Sequence, residues 1–169
     1  MESRAKLLGH PIHQMLIVLP LGVLAMSLVF DLIGRFAGSP NLPEAAYYMI
    51  AAGVISGLVA AIFGLIDYLA IPSGTRAKRV GTMHGIGNVI VVVLFAASWF
   101  VRRDHPAEPE ILAIVLSAAA AALACVTGWL GGELVDRLGV GVDDGAHLDA
   151  PSSLSGPIAA RDTATRTRA

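Results

Sequence analysis

Long apolar stretches alternate with short polar connections along the chain. No charged residue occurs in residues 15–30, 45–66, 85–101 and 111–132. Because a helix rises about 1.5 Å per residue, roughly 20 apolar residues cross a hydrocarbon core about 30 Å thick. The pattern therefore predicts four membrane-spanning helices, at about residues 11–36, 44–70, 80–102 and 109–138.

Proline and glycine mark the connections between the predicted helices. Residues 37–43 and 71–79 form short loops, and Pro20 is expected to kink the first helix. Residues 139–169 have little to bury and are predicted to be a disordered tail. The predicted fold class is all-α, an integral membrane four-helix bundle made of two helical hairpins.

The composition supports a membrane protein. Hydrophobic residues make up 55% of the chain and charged residues 15%, whereas soluble domains are about 25% charged. The single cysteine, Cys125, excludes a disulfide framework and a cysteine-rich metal cluster. A net charge of −1 argues against a nucleic-acid partner. The first partner that the sequence predicts for this chain is therefore the lipid bilayer.

Lysine and arginine are unevenly divided between the two ends of the predicted bundle. The end that holds the N-terminus carries Arg4, Lys6, Arg76, Lys78, Arg79 and Arg137. The opposite end carries Arg35, Arg102 and Arg103. Because cytoplasmic loops of membrane proteins are enriched in Lys and Arg, both termini are predicted to be cytoplasmic.

Polar residues from all four helices are predicted to meet at the end that holds the N-terminus. They are His10 and His13 in the first helix, Asp67 in the second, His84 and Asn88 in the third, and Glu133 in the fourth. Ionisable groups in membrane helices are costly and often mark function. These residues therefore form the candidate site.

Some of these charges have a structural interpretation. Asp67 and Glu133 are near the membrane surface, where they could pair with basic residues of the loops, namely Arg76, Lys78 or Arg137. At the opposite end, Asp31 is expected to pair with Arg35, because residues four apart are neighbours on a helix.

Three functional hypotheses remain open for the candidate site. In the first, His13 and His84 are axial ligands of haem b, with His10 and Asn88 nearby, and the protein passes electrons to or from a quinone or a partner. In the second, a divalent metal ion is bound or transported by His10, His13, His84, Asp67 and Glu133. In the third, the polar residues only fix helix packing. No nucleophile–base pair or phosphate loop supports a hydrolytic enzyme.

The two hairpins show a weak internal repeat. The first begins with His10 and His13 and ends with the sequence GLID, and the second begins with His84 and ends with GWLGGE. Such a repeat is parallel, with a pseudo-twofold axis along the membrane normal. Small residues at four-residue spacing, such as Gly53 and Gly57, indicate close helix packing and leave a homo-oligomer open.

Four short motifs together resemble a known bacterial membrane family. They are GHPIH at residues 9–13, GLID at 64–67, GTMHGIGN at 81–88 and TGWLGGELVDRLGVGV at 127–142. The family is catalogued as domain of unknown function 2231, and the resemblance extends over about residues 8–142. It implies a four-helix protein of the bacterial inner membrane.

The resemblance also implies a redox association. Some members of the family continue into a Rieske-type iron–sulfur domain, which implies electron transfer with a Rieske-type or other redox partner. A Rieske centre needs two cysteines and two histidines, and the tail of this chain has no cysteine. The chain also has Gln14 where a proline often follows the second histidine of the first motif.

Overall fold

The computed structural model of the chain describes residues 1–155. Within them, four helices are long and apolar enough to cross a membrane. They are called span 1 (Ile12–Ala37), span 2 (Asn41–Ala70), span 3 (Arg76–Val101) and span 4 (Ile111–Arg137). The all-α four-helix membrane bundle that the sequence predicts is therefore confirmed.

Two of the spans contain a local irregularity. Span 1 consists of the helices Ile12–Leu16 and Val18–Ala37, and the break lies where Pro20 has no N–H to donate to the carbonyl of Leu16. Span 4 is the helix Ile111–Gly132 followed by a π-helical turn over Glu133–Arg137.

Spans 2 and 3 begin earlier than the predicted residues 44 and 80. Span 2 includes Pro43 in its first turn, where proline is tolerated because the first N–H groups have no partner within the helix. Span 3 is capped by Thr75, whose Oγ1 accepts a hydrogen bond from the backbone N–H of Lys78 at 3.1 Å. A side-chain cap thus marks the start of span 3, whereas the start of span 2 has no side-chain cap.

The four spans form a ring. Spans 1 and 2 pack tightly as one hairpin, and spans 3 and 4 pack as the other. Span 2 also contacts span 3, and span 4 contacts span 1. Spans 1 and 3 therefore lie on one diagonal of the bundle, with their inner faces toward the same central axis.

The two hairpins bury equivalent positions, which supports the parallel pseudo-twofold repeat. The buried residues correspond at a constant offset along spans 1 and 3, and at a second constant offset along spans 2 and 4. The pairs are Pro20 with Val91, Leu24 with Phe95, Ser27 with Ser98, Asp31 with Arg102, Ala46 with Ala113, Ile50 with Ser117, Gly53 with Ala120, and Ala60 with Thr127.

The middle of the bundle is apolar. Leu24, Ile50, Val91, Phe95 and Ala120 form one buried cluster there. Large apolar side chains also cover the outer faces of the spans, where they are exposed in the isolated chain. Outward apolar side chains fit a lipid environment, since a bilayer solvates them without the cost that water imposes.

Asp31 forms a buried ion pair at one end of the bundle, but its partner differs from the predicted Arg35. Both terminal nitrogens of Arg102 lie 2.8 Å from the Asp31 carboxylate oxygens, and both side chains are 0% exposed. The Ser98 hydroxyl also accepts a hydrogen bond from Arg102. Arg35 is exposed instead, so the pairing runs across the bundle rather than along one helix.

The other end, where spans 1 and 3 begin, is called the histidine end. A short antiparallel pair, β1 (Lys6–Leu7) and β2 (His10–Pro11), precedes span 1 there. The start of the predicted tail folds back onto it, because the N–H of Gly141 donates to the carbonyl of Met1 at 2.9 Å. The remainder of the predicted tail, residues 156–169, lies outside the described residues.

Candidate metal centre at the histidine end

His13 is oriented by the neighbouring span of its own hairpin. Its Nδ1 lies 2.9 Å from the carbonyl oxygen of Ala60. Because a carbonyl only accepts, Nδ1 carries a proton, and in the neutral imidazole Nε2 then keeps a free lone pair. Gly64 makes room for the ring, since a Cβ there would lie 2.9 Å from its Cε1 and Nδ1 atoms.

His84 is held in the same way in the second hairpin. Its Nδ1 lies 2.9 Å from the carbonyl oxygen of Thr127. A Cβ at Gly131 would lie 3.1 Å from the Cε1 atom of His84. The histidine, the carbonyl and the glycine are thus repeated in both hairpins, and each imidazole has the tautomer that leaves Nε2 unprotonated.

The two imidazoles meet across the central axis. Their ring centroids are 6.4 Å apart and their planes are inclined at 88°. An imidazole nitrogen lies about 2.0–2.1 Å from a bound ion, so two imidazoles on opposite sides of one ion have ring centres roughly 6.3 Å apart. The observed separation of His13 and His84 therefore suits a shared metal ion.

Asn88 distinguishes the two histidines. Its amide nitrogen lies 3.2 Å from Nε2 of His84 and donates to the His84 carbonyl at 2.9 Å. The amide oxygen accepts a hydrogen bond from the Thr127 hydroxyl at 3.0 Å. Nε2 of His84 is therefore hydrogen-bonded, whereas Nε2 of His13 has no hydrogen-bond partner within residues 1–155.

The remaining candidate residues have other partners. His10 is exposed on β2, with its Nε2 3.3 Å from the Ser153 hydroxyl. Asp67 accepts from the Ser3 hydroxyl at 2.8 Å and from the backbone N–H of Arg4 at 2.7 Å. Over residues 1–155, no group of three or more His, Cys, Asp or Glu could hold a metal ion. The structure brings together His13, His84 and Asn88.

Glu133 has the structural role considered above. It forms an ion pair with Arg76, which links the end of span 4 to the start of span 3. The carboxylate of Asp67, in contrast, accepts hydrogen bonds from the N-terminal residues and not from the loop cations. No local feature of the sequence indicates that contact, because the N-terminal segment reaches Asp67 only after folding back.

Three residues of the site were not identified from the sequence pattern. Gly64 and Gly131 fall inside the GLID and GWLGGE motifs, at equivalent places in the two hairpins. Thr127 is a lone hydroxyl near the end of an apolar run. The internal repeat was the feature that could have indicated them. An imidazole that packs closely against the neighbouring helix needs a glycine on that helix, and each hairpin has one.

The chain matches a known protein family. A family model described as "Predicted membrane protein (DUF2231)" matches residues 9–144. The matched range includes His13, His84 and the four spans. Comparisons with curated proteins and with solved structures give no match.

Proposed function

Because the chain belongs to the DUF2231 family of predicted membrane proteins, whose description states no activity, we propose its function from the site alone. We infer that this integral membrane protein binds haem b through His13 and His84 and transfers electrons. The observation that carries this proposal is the pair of imidazoles, 6.4 Å apart, on diagonal spans of a four-helix bundle.

The number of ligands favours haem over a bare ion. A structural zinc ion takes four ligands from the protein, and a catalytic one usually takes three. Haem iron has four ligands in its own macrocycle and needs at most two axial side chains from the protein. Within residues 1–155, the two imidazoles have no third His, Cys, Asp or Glu close by. They therefore match the number of side chains that haem iron needs.

The hydrogen bonds of the histidines favour a ligand role as well. Metal-bound histidines usually donate their other ring N–H to a carbonyl or carboxylate, which fixes the tautomer and the ring orientation. Ala60 and Thr127 supply such carbonyls to His13 and His84. Bound haem would supply one-electron redox chemistry, while the two carbonyls fix the orientation of both imidazole rings.

Asn88 sets a condition on binding. For iron to be bound by His84, Asn88 must release its hydrogen bond to Nε2. It can do so while its amide oxygen stays bonded to Thr127. Asn88 would therefore compete with a bound iron for Nε2 of His84.

The proposal includes an orientation and a partner class. We propose that the histidine end lies at the cytoplasmic side of the bacterial inner membrane, because Lys and Arg are in excess at that end. The buried cluster around Phe95 fills the middle of the bundle with apolar side chains, so the site exchanges electrons on its own side. A quinone or a Rieske-type protein has suitable redox chemistry.

A packing role is the second candidate, and the Asn88 network favours it. In that network Asn88 bonds to both His84 and Thr127, so it joins spans 3 and 4 without any ligand. Buried polar groups that satisfy one another rigidify a core. This candidate predicts that the purified protein carries no cofactor.

An absorption spectrum tests the proposal. The protein is purified in mild detergent from cells with ample haem, and the spectrum is recorded oxidised and after reduction with dithionite. Haem binding predicts a Soret band and sharpened bands on reduction. A spectrum without these bands contradicts the haem proposal. Metal analysis of the same sample then separates a bare ion from a packing role.

A further inference from the structure

The turn that precedes span 1 has an unusual residue at its tip. Leu8 and Gly9 connect β1 to β2, with φ angles of 51° and 87°. Two-residue hairpin loops with positive φ at both positions favour Asn-Gly, Asp-Gly or Gly-Gly. Within residues 1–155, Leu8 is the one residue other than glycine with a positive φ.

A leucine is disfavoured at this position. In the left-handed region its Cβ crowds the following carbonyl oxygen, whereas glycine has no Cβ. Strained residues persist where the surrounding structure or the function requires them. The presence of Leu8 therefore needs a compensating contact of its side chain.

Within residues 1–155, no other part of the fold supplies that contact. Leu8 is 69% exposed and its neighbour Leu7 is 53% exposed. The hairpin backbone is nevertheless fixed, since the N–H of Ile12 donates to the carbonyl of Ala5 at 2.9 Å. A rigid turn thus presents two leucines away from residues 1–155, so their partner lies outside that part of the chain.

The position of the turn identifies the partner as lipid. β2 leads directly into span 1, so the leucines lie only a few residues before His13. His13 is level with His84, and Arg76 and Arg79 precede His84 by about two and about one and a half turns of span 3. This level, just outside the apolar spans and beside basic residues, is where the headgroups of a bilayer lie.

We propose that Leu7 and Leu8 insert into the headgroup region of the leaflet around the histidine end. The hairpin thereby anchors the start of span 1 at a fixed depth. Apolar side chains of interfacial segments enter the boundary between headgroups and acyl chains in this way. The inference is independent of haem, since it rests on the turn and its exposed leucines alone.

A tryptophan reporter tests the insertion. Leu8→Trp is made in a chain that also carries Trp99→Phe and Trp129→Phe, and the protein is reconstituted in vesicles of phosphatidylcholine and phosphatidylglycerol. Asp149→Trp in the same background is the control, because Asp149 is an exposed charged residue after span 4 and such a residue stays in water. Lipids with a nitroxide high or low on the acyl chain serve as quenchers, and iodide serves as the aqueous quencher.

Insertion predicts a blue-shifted emission for Leu8→Trp and stronger quenching by the shallow nitroxide than by the deep one. The control is expected to respond to iodide alone. Equal iodide quenching of both reporters, without quenching by either nitroxide, overturns the proposal and indicates an aqueous protein partner instead.

A second variant avoids the reporter. Leu8→Gly relieves the backbone strain, so the bundle is expected to keep its Tm in detergent. In vesicles, the amides of residues 6–10 are expected to exchange hydrogen several times faster than in the wild-type protein. Unchanged exchange in vesicles would contradict a lipid anchor, because the loss of the leucine would then have no effect there.

Discussion

Single glycines decide where the imidazoles of the site can lie. Gly64→Ala places a Cβ 2.9 Å from ring atoms of His13, which is closer than Cβ contacts allow. We expect the ring to be displaced from the Ala60 carbonyl and the bundle to lose about 1–3 kcal/mol through overpacking. Thermal unfolding in detergent measures the loss.

Gly22→Ala is the matched control, because nothing lies within 4 Å of a Cβ at Gly22. Alanine also has the higher helix propensity, so this variant is expected to be as stable as the wild type or slightly more so. Equal stability of the Gly64 and Gly22 variants would show that His13 does not pack against Gly64.

The buried charges at the opposite end make a second prediction for single residues. Asp31→Ala leaves Arg102 buried without its counterion, and breaking a buried ion pair typically costs about 3–5 kcal/mol. Asp104→Ala is the control, because the ion pair of Asp104 with Arg103 is exposed and surface pairs contribute little. Similar unfolding midpoints for the two variants would contradict the importance of the buried pair.

The pairing of helices explains which parts of the structure the sequence could predict. Length and apolar character are properties of each segment, so the four spans could be found without knowing their neighbours. The partner of Asp31 could not, because local spacing favours Arg35 and only the assembly of the whole bundle brings Arg102, at the end of span 3, close. The same holds for the carbonyls of Ala60 and Thr127, which carry no side-chain signal.

The pseudo-twofold repeat gives a prediction at the scale of whole elements. Asp31 and Arg102 occupy equivalent positions, and Ser27 occupies in span 1 the position of Ser98 in span 3. The exchanged variant, Asp31→Arg with Arg102→Asp, can therefore form the reversed ion pair, with Ser27 available as an acceptor.

We expect the exchanged variant to recover most of the stability that either single reversal loses. The recovery should be incomplete, because Ser117, which bonds to Ser98 at 2.8 Å, corresponds to Ile50 in the other hairpin. Unfolding of the two single reversals and the double variant forms a mutant cycle. Additive losses in that cycle would contradict an equivalence of the two hairpins.

For the whole molecule, the two ends of the described chain meet at the histidine end. Lys6 lies 2.6 Å from Glu2 and 3.4 Å from Asp143. The hydrogen bond from Lys6 lowers the pKa of Glu2, and the backbone N–H of Gly145, followed by Lys6, lowers the pKa of Asp143. The pKa of Lys6 is raised, chiefly by Glu2.

These shifts predict a pH-dependent attachment of residues 139–145. A carboxylate with a lowered pKa stabilises the folded contact above its usual pKa, and the contribution is lost as the pH falls through the lowered value. The raised pKa of Lys6 causes a loss only above its usual pKa. We therefore expect the segment to stay attached at neutral pH and to loosen below about pH 4.

Hydrogen exchange of residues 139–145, corrected for the intrinsic pH dependence, measures this loosening. The amides in the middle of span 4 are the internal control and should stay protected. Lys6→Gln is expected to weaken the attachment already at neutral pH. Protection that is the same at pH 7 and well below pH 4 would show that these charges do not hold the segment.

The central claim is that His13 and His84 together hold one haem at the histidine end. The haem content per chain of the wild type, His13→Ala, His84→Ala and His10→Ala tests it most directly, with Tm measured to confirm folding. One haem per chain is expected in the wild type. The same content is expected in His10→Ala, because His10 lies on the exposed hairpin. His13→Ala and His84→Ala are both expected to lose the haem. Folded wild-type protein without haem, or full haem content in His84→Ala, would contradict it.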